Sequence, residues 1–291
     1  GQKERLARAL KSEKFFDSNN GEIYTLDILP YSYQQEILDK LEAERAVRGY
    51  FHNLVVAATG TGKTVVSALD YKRFRKQNPK APCRLLFVAH REEILKQSLY
   101  TFRAVLKDAN FGEMFVGNYK PDSIENLFIS IQTFNSQAFT EKTSAEFYDY
   151  IIVDEFQDIS VDRYNFLKVL REGNPPAKLY CVGDDWQSIY RFSGSDMALF
   201  NQFPDYFGAT EINKIETTYR FGEPLVSLSS NFIQRNKAQI QKNIHSFSSE
   251  MRTELEFYAY DRRDYCNTIG QLVASIPSDK SIFLLEYNLI L

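Results

Sequence analysis

Short apolar runs alternate with longer amphipathic stretches along the middle of the chain. The short runs are nearly continuous in apolar residues, as expected for strands buried on both faces. Residues 33–46 and the stretches between the runs carry apolar residues at helical spacing. We therefore predict an α/β fold with a parallel sheet covered by helices on both faces. The predicted strands are residues 54–57, 85–89, 114–116, 127–131, 150–153 and 179–182.

The same alternation restarts after about residue 213, which predicts the beginning of a second domain. Its expected elements are a helix over 223–235, a strand over 255–260, a helix over 265–275 and a strand over 281–286. Two strands are too few for an independent sheet, so we interpret the chain as a segment that works with the remainder of a longer parent chain. The predicted division is a charged helix (2–14) and linker in residues 1–29, a main domain in 30–212 and the second domain in 213–291.

Composition and charge narrow the class of protein. The 291 residues are 44% hydrophobic, enough for a real core, and carry a formal net charge of −3. That charge argues against attraction of the whole molecule to DNA but leaves room for a local basic groove. No apolar run approaches the roughly 20 residues that cross a bilayer, so we expect a cytoplasmic protein without a membrane partner. The cysteines and histidines lack metal-ligand spacing. We expect Cys83, Cys181 and Cys266 to be reduced, unreactive thiols in the core. The histidines are expected to be structural or exposed: His52, His90 and His245.

The most informative segment is Ala-Ala-Thr-Gly-Thr-Gly-Lys-Thr at residues 57–64. It follows a predicted strand and precedes a helical run, which is the context of a loop that binds nucleotide phosphates. In such a loop Lys63 reaches the outer phosphates and the Thr64 hydroxyl ligates Mg²⁺. Ala57 replaces the usual first glycine, so a small residue is kept. The candidate nucleotide-binding residues of this loop are Thr59, Gly60, Thr61, Gly62, Lys63 and Thr64.

Asp154 and Glu155, which follow the predicted strand 150–153, form the second candidate feature. From the pair alone, a helix cap and its first-turn neighbour remain an alternative interpretation. Phosphate sites in parallel sheets lie at the carboxyl ends of strands, and both this pair and Lys63 follow predicted strands. We therefore expect the two segments to meet and to bind ATP with Mg²⁺.

Two further blocks make a family resemblance specific. Residues 181–196 read Cys-Val-Gly-Asp-Asp-Trp-Gln-Ser-Ile-Tyr-Arg-Phe-Ser-Gly-Ser-Asp, and residues 217–221 read Thr-Thr-Tyr-Arg-Phe. With Asp-Glu-Phe-Gln-Asp at 154–158, they resemble motifs II, III and IV of superfamily 1 DNA helicases of the UvrD/Rep/PcrA type. The residues of these motifs are most similar to those of helicase IV. The resemblance implies a RecA-like P-loop NTPase fold and the beginning of a second RecA-like domain.

The front half is instead similar to superfamily 2 enzymes of the type III restriction or DEAD-like kind. The matching pieces are Tyr-Gln-Gln-Glu at 33–36, the loop at 57–64, the block at 87–95 and Ser-Ile-Gln-Thr at 130–133. The chain therefore resembles a mosaic of the two superfamilies.

The resemblance implies roles for single residues of the ATP site. Asp154 would hold Mg²⁺, and Glu155 would orient and deprotonate the attacking water. Gln187 would sense the γ-phosphate, and Arg220 would reach it from the second domain as an arginine finger. Lys63 is the remaining catalytic candidate. The implied adenine contacts are Gln34, at the edge of the base, and Tyr219, stacked on its face.

The block that contains Gln187 also carries candidate contacts to DNA. In the resembled family its aromatic residues stack on bases of single-stranded DNA, which points to Tyr190 and Phe192 with Arg191 between them. Packing in the core is the alternative for both rings. Polar residues after two other strands could bind phosphate oxygens of the DNA backbone, whatever the base sequence. For Arg91, the exposed start of a helix is an equally good interpretation. These candidates are His90, Arg91, Ser130, Gln132 and Thr133.

Together these features predict the ATP-hydrolysing core of a DNA helicase or translocase, which moves along single-stranded DNA and takes a duplex with an overhang as substrate. Movement from 3′ to 5′ and a place in DNA repair or restriction are implied by the resemblance alone. The alternative is an ATP-dependent DNA-binding or regulatory module that never unwinds. A small-molecule P-loop kinase is disfavoured, because the blocks around Gln187 and Arg220 would then have no purpose. We expect impaired turnover from residues 1–291 alone, since the family takes a second arginine from a later motif.

Overall fold

The computed structural model describes residues 27–58, 60–117, 119–134, 139, 143–188, 194–210, 212–219, 221–237, 239–247 and 265–275. The chain divides into two compact units, residues 1–251 and 252–291. Among the described residues no helix is long and apolar enough to span a bilayer.

Seven parallel strands form the central sheet of the first unit. Six of them were predicted from the sequence and lie within two residues of the predicted bounds. The strands are β1 (His52–Ala57), β2 (Leu85–Ala89), β3 (Glu113–Phe115), β4 (Asn126–Ser130), β5 (Tyr150–Val153), β6 (Lys178–Gly183) and β7 (Ile212–Ile215). Their order across the sheet is β3-β4-β2-β5-β6-β1-β7. The predicted α/β fold with a parallel sheet is therefore confirmed.

Helices connect these strands and cover the sheet. They are α1 (Ser32–Ala43), α2 (Lys63–Gln77), α3 (Glu92–Leu106), α4 (Ile131–Phe134), α5 (Val161–Gly173), α6 (Ala198–Asn201), α7 (Phe203–Phe207) and α8 (Glu223–Ile233). A π-helical turn, Glu44–Arg48, extends α1 and ends at Gly49. Two short parallel strands, β8 (Thr217–Thr218) and β9 (His245–Ser246), pair beside α8. In the second unit α9 (Tyr265–Ser275) coincides with the predicted helix.

The core lies on both faces of the sheet, as the apolar strands predicted. Along β1, Val55 and Ala57 face a cluster built with α1, α2 and α3, whereas Leu54 and Val56 face a cluster built with α5, α6 and α7. All four side chains are fully buried. Continuous apolar strands are needed because neither face of the sheet is exposed to water.

Strand β7 was missed by the sequence analysis because its polar residues interrupt the apolar pattern. Asn213 is nevertheless buried in β7, where its side chain donates to Glu44 Oε1 at 2.9 Å. Asn53 of the neighbouring β1 donates to the other oxygen, Oε2, at 2.7 Å. The buried Glu44 carboxylate thus links the two strands and satisfies the hydrogen bonds of their side-chain amides.

The central sheet extends to Ile215, which is three residues beyond the predicted domain boundary at 212. The division into domains remains a prediction.

A second polar network is buried at the amino-terminal edge of the sheet. Arg45 pairs with Asp70 through two hydrogen bonds, Nη1 to Oδ1 at 2.8 Å and Nη2 to Oδ2 at 2.7 Å. The Tyr150 hydroxyl donates to the same carboxylate. The network joins the π-helical turn to α2 and to β5, with Asp70 only 2% exposed.

Several predicted features lie outside the described residues. They are the helix over 2–14, the strands over 255–260 and 281–286, the Cys266 side chain, and the candidate site residues Thr59, Tyr190, Arg191, Phe192 and Arg220. Cys83 and Cys181 are buried free thiols, as expected.

Candidate active site

The strand order explains why separate sequence segments meet. Strands β5, β6 and β1 are neighbours in the parallel sheet, so their carboxyl ends lie side by side. The loop before Lys63 follows β1, the pair Asp154-Glu155 follows β5, and the block from Asp184 follows β6. The expected meeting of the first two segments is found, and the third joins them.

Lys63 and Glu155 form an ion pair at this edge. Lys63 Nζ lies 2.9 Å from Glu155 Oε1, and the two side chains are 11% and 23% exposed. Burial lowers the pKa of Lys63, but Asp154 and Glu155 more than offset this, so the pKa is raised and the ammonium group stays charged. Burial raises the pKa of Glu155, but Lys63 and a hydrogen bond from Gln157 outweigh it, so the net shift is downward and the carboxylate is ionised.

The backbone at Glu155 is strained. Its φ of 52° lies in the left-handed region, which costs a non-glycine residue about 1–3 kcal/mol. Glu155 precedes the short 3₁₀ turn Phe156–Asp158, but its side chain makes no capping hydrogen bond there. Its carboxylate turns to Lys63 and accepts from Gln157 Nε2 at 2.8 Å instead. This geometry favours the functional interpretation of the Asp-Glu pair over a helix cap.

Asp154 is almost fully buried beside this ion pair. One carboxylate oxygen, Oδ1, accepts the backbone N–H of Glu155 at 2.9 Å. Burial is the main reason that the pKa of Asp154 is raised, and the negative charge of Glu155 adds to it while Lys63 opposes it. A buried carboxylate with a raised pKa gains from a nearby divalent cation.

The loop before α2 has the conformation that a phosphate cradle needs. Gly60 and Gly62 have φ values of 78° and 75°, which non-glycine residues rarely adopt. Thr61 between them is fully buried, and its hydroxyl donates to Ala58 O at 2.8 Å. The Thr61 side chain therefore braces the loop, and its expected contribution to phosphate binding is through its backbone N–H.

Two residues of α1 support the loop through hydrogen bonds to its backbone. Tyr33 OH donates to Thr61 O at 2.8 Å, and Gln34 Nε2 donates to the same oxygen at 3.3 Å. Gln34 Oε1 accepts the backbone N–H of Tyr31 at 3.0 Å, and the side chain is buried. An ideal Cβ at Gly62 would lie 2.6 Å from Gln34 Nε2, so glycine is required there by close approach. Gln34 thus holds the loop, and its contact with adenine remains a prediction.

Gln157 connects the segments after β5 and β6. Its Oε1 accepts the backbone N–H of Asp184 at 3.0 Å, while its Nε2 donates to Glu155. Gly183 makes room for this contact, since an ideal Cβ there would lie 2.3 Å from Gln157 Oε1. The Gln187 side chain donates to Asp184 Oδ2, which places the predicted phosphate sensor next to this connection.

Aromatic rings cluster beside the loop. The Tyr219 ring stacks on Tyr31 with centroids 5.5 Å apart and on Phe247 at 4.6 Å. Tyr33 lies 5.7 Å from Tyr219. Because Tyr33 also contacts Thr61, the predicted adenine-stacking residue lies next to the phosphate loop. Such a cluster offers flat apolar faces to a nucleobase.

A groove lies at the same edge of the sheet, beyond β2 and β4. It has a volume of about 560 Å³. Burial, with Arg163 and Arg91, lowers the pKa of His90, so this ring is neutral at neutral pH. Ser130 Oγ bonds to Thr133 Oγ1 at 2.8 Å and accepts its backbone N–H at 3.2 Å, so Ser130 also caps α4. The lining includes four of the predicted phosphate contacts and one lysine that the sequence analysis missed: His90, Ser130, Gln132, Thr133 and Lys120.

Arg91 is the residue before α3, and it is exposed. The next residue, Glu92, pairs with Lys96 at 2.6 Å on the solvated face of the helix. The expectation that a helix begins here is met, and a contact of Arg91 with DNA remains a prediction.

The chemistry of the donors fits Mg²⁺. This ion takes one or two protein oxygen ligands and completes its shell with water and substrate phosphates. Thr64 lies in the first turn of α2, and Asp154 supplies a carboxylate from the end of β5 at the same edge of the sheet. Among the described residues no group of three or more His, Cys, Asp or Glu side chains could hold a metal ion by itself. Thr64 and Asp154 are therefore the side chains that would hold Mg²⁺ together with a nucleotide.

Residues 27–177, just over half of the chain, match the family described as type III restriction enzyme, res subunit. The chain belongs to this family.

Its relatives also include DNA helicases of the UvrD/Rep type, which confirms both halves of the predicted resemblance. DNA helicase IV of Escherichia coli (strain K12) is 45% identical over 100 residues, which are 34% of this chain and 15% of that protein. The ATP-dependent DNA helicase srs2 of Schizosaccharomyces pombe (strain 972 / ATCC 24843) is 33% identical over 143 residues, 48% of this chain and 15% of that protein. The chain thus matches only a small part of each relative's length.

Among solved structures, the UvsW helicase from bacteriophage T4 is similar over 70% of this chain and 68% of that chain. The sequence identity is 15% and the TM-score is 0.46.

The sequence analysis of this type III restriction family member missed three polar residues at the active-site edge. Gln157 lies inside the recognised Asp-Glu-Phe-Gln-Asp block, so its position was a usable signal. Lys120 and Lys242 lie in stretches without a motif, and only the structure brings Lys120 to the lining of the groove and Lys242 to Asp184 and Asp185. A lone lysine carries no local pattern from which its partners could be predicted.

Proposed function

We propose that this chain is the ATP-binding core of a DNA helicase or translocase that hydrolyses ATP to move along single-stranded DNA. The observation that carries the proposal is the ion pair between Lys63 and Glu155 beside the buried Asp154. Family membership and the helicase relatives support the same activity.

In this proposal Lys63 leaves Glu155 when ATP enters and binds the outer phosphates. The released Glu155 carboxylate, ionised and held by Gln157, then accepts a proton from the attacking water. Mg²⁺, held by Thr64 and Asp154, would neutralise the phosphate charge. The Lys63–Glu155 pair therefore occupies one oxygen of the base until nucleotide is bound.

ATP and DNA would bind at different positions along the carboxyl-terminal edge of the sheet. ATP would lie over β5, β6 and β1, whereas a DNA strand would lie in the groove beyond β2 and β4. Lys120 supplies a positive charge to that groove, and Gln132 supplies a neutral donor. Contacts of this kind position a strand without reading its sequence. Movement from 3′ to 5′, an arginine finger at Arg220 and a role in repair or restriction belong to the proposal through the family resemblance.

ATP hydrolysis and strand displacement test the proposal together. The protein is given ATP and Mg²⁺ with single-stranded DNA, with blunt duplex or without DNA, and phosphate release is measured. We expect single-stranded DNA to stimulate release and Lys63→Ala to abolish it. Stimulation by blunt duplex alone would contradict a single-strand motor, and rapid phosphate release by residues 1–291 alone would contradict the expected need for a second arginine.

The second candidate function is an ATP-dependent DNA-binding module that never unwinds. It is favoured by the hydrogen bonds between Ser130 and Thr133, which leave fewer groups for a moving strand. A duplex with a single-stranded overhang separates the two candidates. The motor displaces the annealed strand with ATP, whereas the module only changes its affinity for the overhang.

A further inference from the structure

Lys242 is a buried cation beside the nucleotide site that none of the recognised motifs contains. Its side chain is 1% exposed, and its Nζ contacts Asp184 Oδ1 and lies 2.6 Å from Asp185 Oδ1. The two carboxylates are 6% and 0% exposed. The ammonium group also lies 4.6 Å from the centroid of the Trp186 ring. Burial of a lysine is costly unless it is paired, and here three consecutive residues serve as partners.

The contact reaches the predicted phosphate sensor through one shared carboxylate. Asp184 accepts from Lys242 at Oδ1 and from Gln187 Nε2 at Oδ2. The Asp184 backbone N–H is held by Gln157, which also donates to Glu155. A continuous line of polar contacts therefore runs from Lys242 through Asp184 and Gln157 to the proposed general base.

The segment that carries Lys242 is held at the same place by its backbone. Ile240 N donates to Asp185 Oδ2 at 2.7 Å, and Trp186 Nε1 donates to Ile240 O at 3.3 Å. On the other side of the segment, Lys214 Nζ donates to Gln241 O at 2.7 Å, and this contact is exposed. The segment follows α8, so it is far in sequence from the residues that it contacts.

We propose that Lys242 is a positioning residue of the ATP site, which holds Gln187 at the γ-phosphate through Asp184. This inference rests on the proposed ATPase function and adds a residue to it. Asp154, Glu155, Asp184 and Asp185 together give this edge a strong negative charge, opposed by Lys63. With Lys242 in place, its ammonium group balances the negative charge of Asp184, and the second oxygen of Asp184 orients Gln187. Without it, Asp184 is drawn towards Lys63 or a divalent cation, and Gln187 loses its partner.

Trp186 makes the proposal measurable, because it is the sole tryptophan of the chain. Its emission reports on the Asp184–Gln187 turn directly. Wild type, Lys242→Met and Lys242→Arg are each titrated with a non-hydrolysable ATP analogue and Mg²⁺. Calorimetry gives the affinity, tryptophan emission gives the response of the turn, and phosphate release gives kcat and KM.

We expect Lys242→Met to bind the analogue within about twofold of wild type while kcat falls about tenfold, because a misplaced sensor affects the transition state more than the ground state. The emission change on nucleotide binding should be lost. Lys242→Arg keeps the charge and should restore a large part of both signals. Should the methionine variant not fold, Lys242→Gln, which keeps a hydrogen-bond donor, carries the same comparison.

Lys214→Met is the matched control, because it removes a lysine that holds the same segment without contacting Asp184. It should leave kcat and the emission response unchanged. Equal loss in this control, no rescue by arginine, or wild-type behaviour of Lys242→Met would each overturn the proposal. A wild-type protein that binds no nucleotide would instead refute the proposed function, since that result does not depend on Lys242.

Discussion

Lys63 Nζ lies 2.9 Å from Glu155 Oε1, so the lysine expected to bind phosphate is paired with the carboxylate expected to activate water. The two residues are far apart in sequence and follow strands that are separated only by β6. Each group keeps the other ionised. In the proposed function ATP competes with Glu155 for Lys63, so the pair should contribute measurably to nucleotide affinity.

Glu155→Gln should leave ATP affinity equal to wild type or higher, while turnover is abolished. The amide keeps the shape of the side chain but neither pairs with Lys63 nor accepts a proton. Lys63→Ala should instead weaken binding at least about tenfold, which is roughly 1.4 kcal/mol. Calorimetric titration with a non-hydrolysable analogue measures both. Equal loss of affinity in the two variants would contradict the assigned roles.

Binding of ATP in the presence of Mg²⁺ should weaken as the pH falls from about 8 to about 5, earlier than for an ordinary aspartate near pH 3.9. The reason is that burial raises the pKa of Asp154, and the protonated acid cannot hold the ion. Affinity is measured with Mg²⁺ and with EDTA across this range. Asp154→Asn is the control, because protonation of the nucleotide itself affects both proteins. If the variant kept the full Mg²⁺-dependent pH response, Asp154 would not be the ligand.

Gly183→Ala should reduce both turnover and stability. The added Cβ would lie 2.3 Å from Gln157 Oε1 and 2.9 Å from the Phe200 ring, so the link between the segments after β5 and β6 must shift. Overpacking of this kind costs about 1–3 kcal/mol, which denaturant unfolding measures. Gly270→Ala, where nothing lies within 4 Å of the added Cβ, is the matched control. Wild-type phosphate release from Gly183→Ala would show that the Gln157 contact is dispensable.

Asp70→Asn should lower the free energy of unfolding by about 3–5 kcal/mol, because it leaves the Arg45 charge buried without its partner. The amide preserves the volume of the side chain, so the loss is electrostatic. Lys40→Ala removes the exposed pair with Glu36 and should give no measurable change. Urea unfolding of wild type and the two variants measures the free energies. Similar midpoints for all three would contradict the prediction.

Lys120→Ala should weaken single-stranded DNA binding and reduce the salt dependence of the affinity by about one counterion. Gln132→Ala should weaken binding without changing that slope, because a neutral donor releases no ion. Affinities are measured by fluorescence anisotropy over a salt series. Lys80→Ala, in the exposed loop before β2 at the opposite edge of the sheet, should behave as wild type. If Lys80 and Lys120 gave the same effect, the groove would not be the binding surface.

The sequence by itself determined six of the seven strands of the central sheet, the phosphate loop and the position of the Asp-Glu pair. Each of these is a local property: the apolar runs of β2 and β5 specify buried strands, and the glycines before Lys63 specify a loop that only small residues can form. Motif spacing also placed Lys63 and Asp154 at the carboxyl ends of strands. No long-range information was needed for any of them.

Only the tertiary structure decided which groups meet at the site. The order β5-β6-β1 brings Asp184 beside Glu155, and it depends on how the whole sheet assembles. Strand β7 was missed because Asn213 is compatible with a buried strand only through the distant Glu44. Lys242 lies fifty-eight residues from Asp184, and a buried ion pair over that separation leaves no periodic or compositional trace. Long-range electrostatic partners are set by packing, which a pattern along the chain does not record.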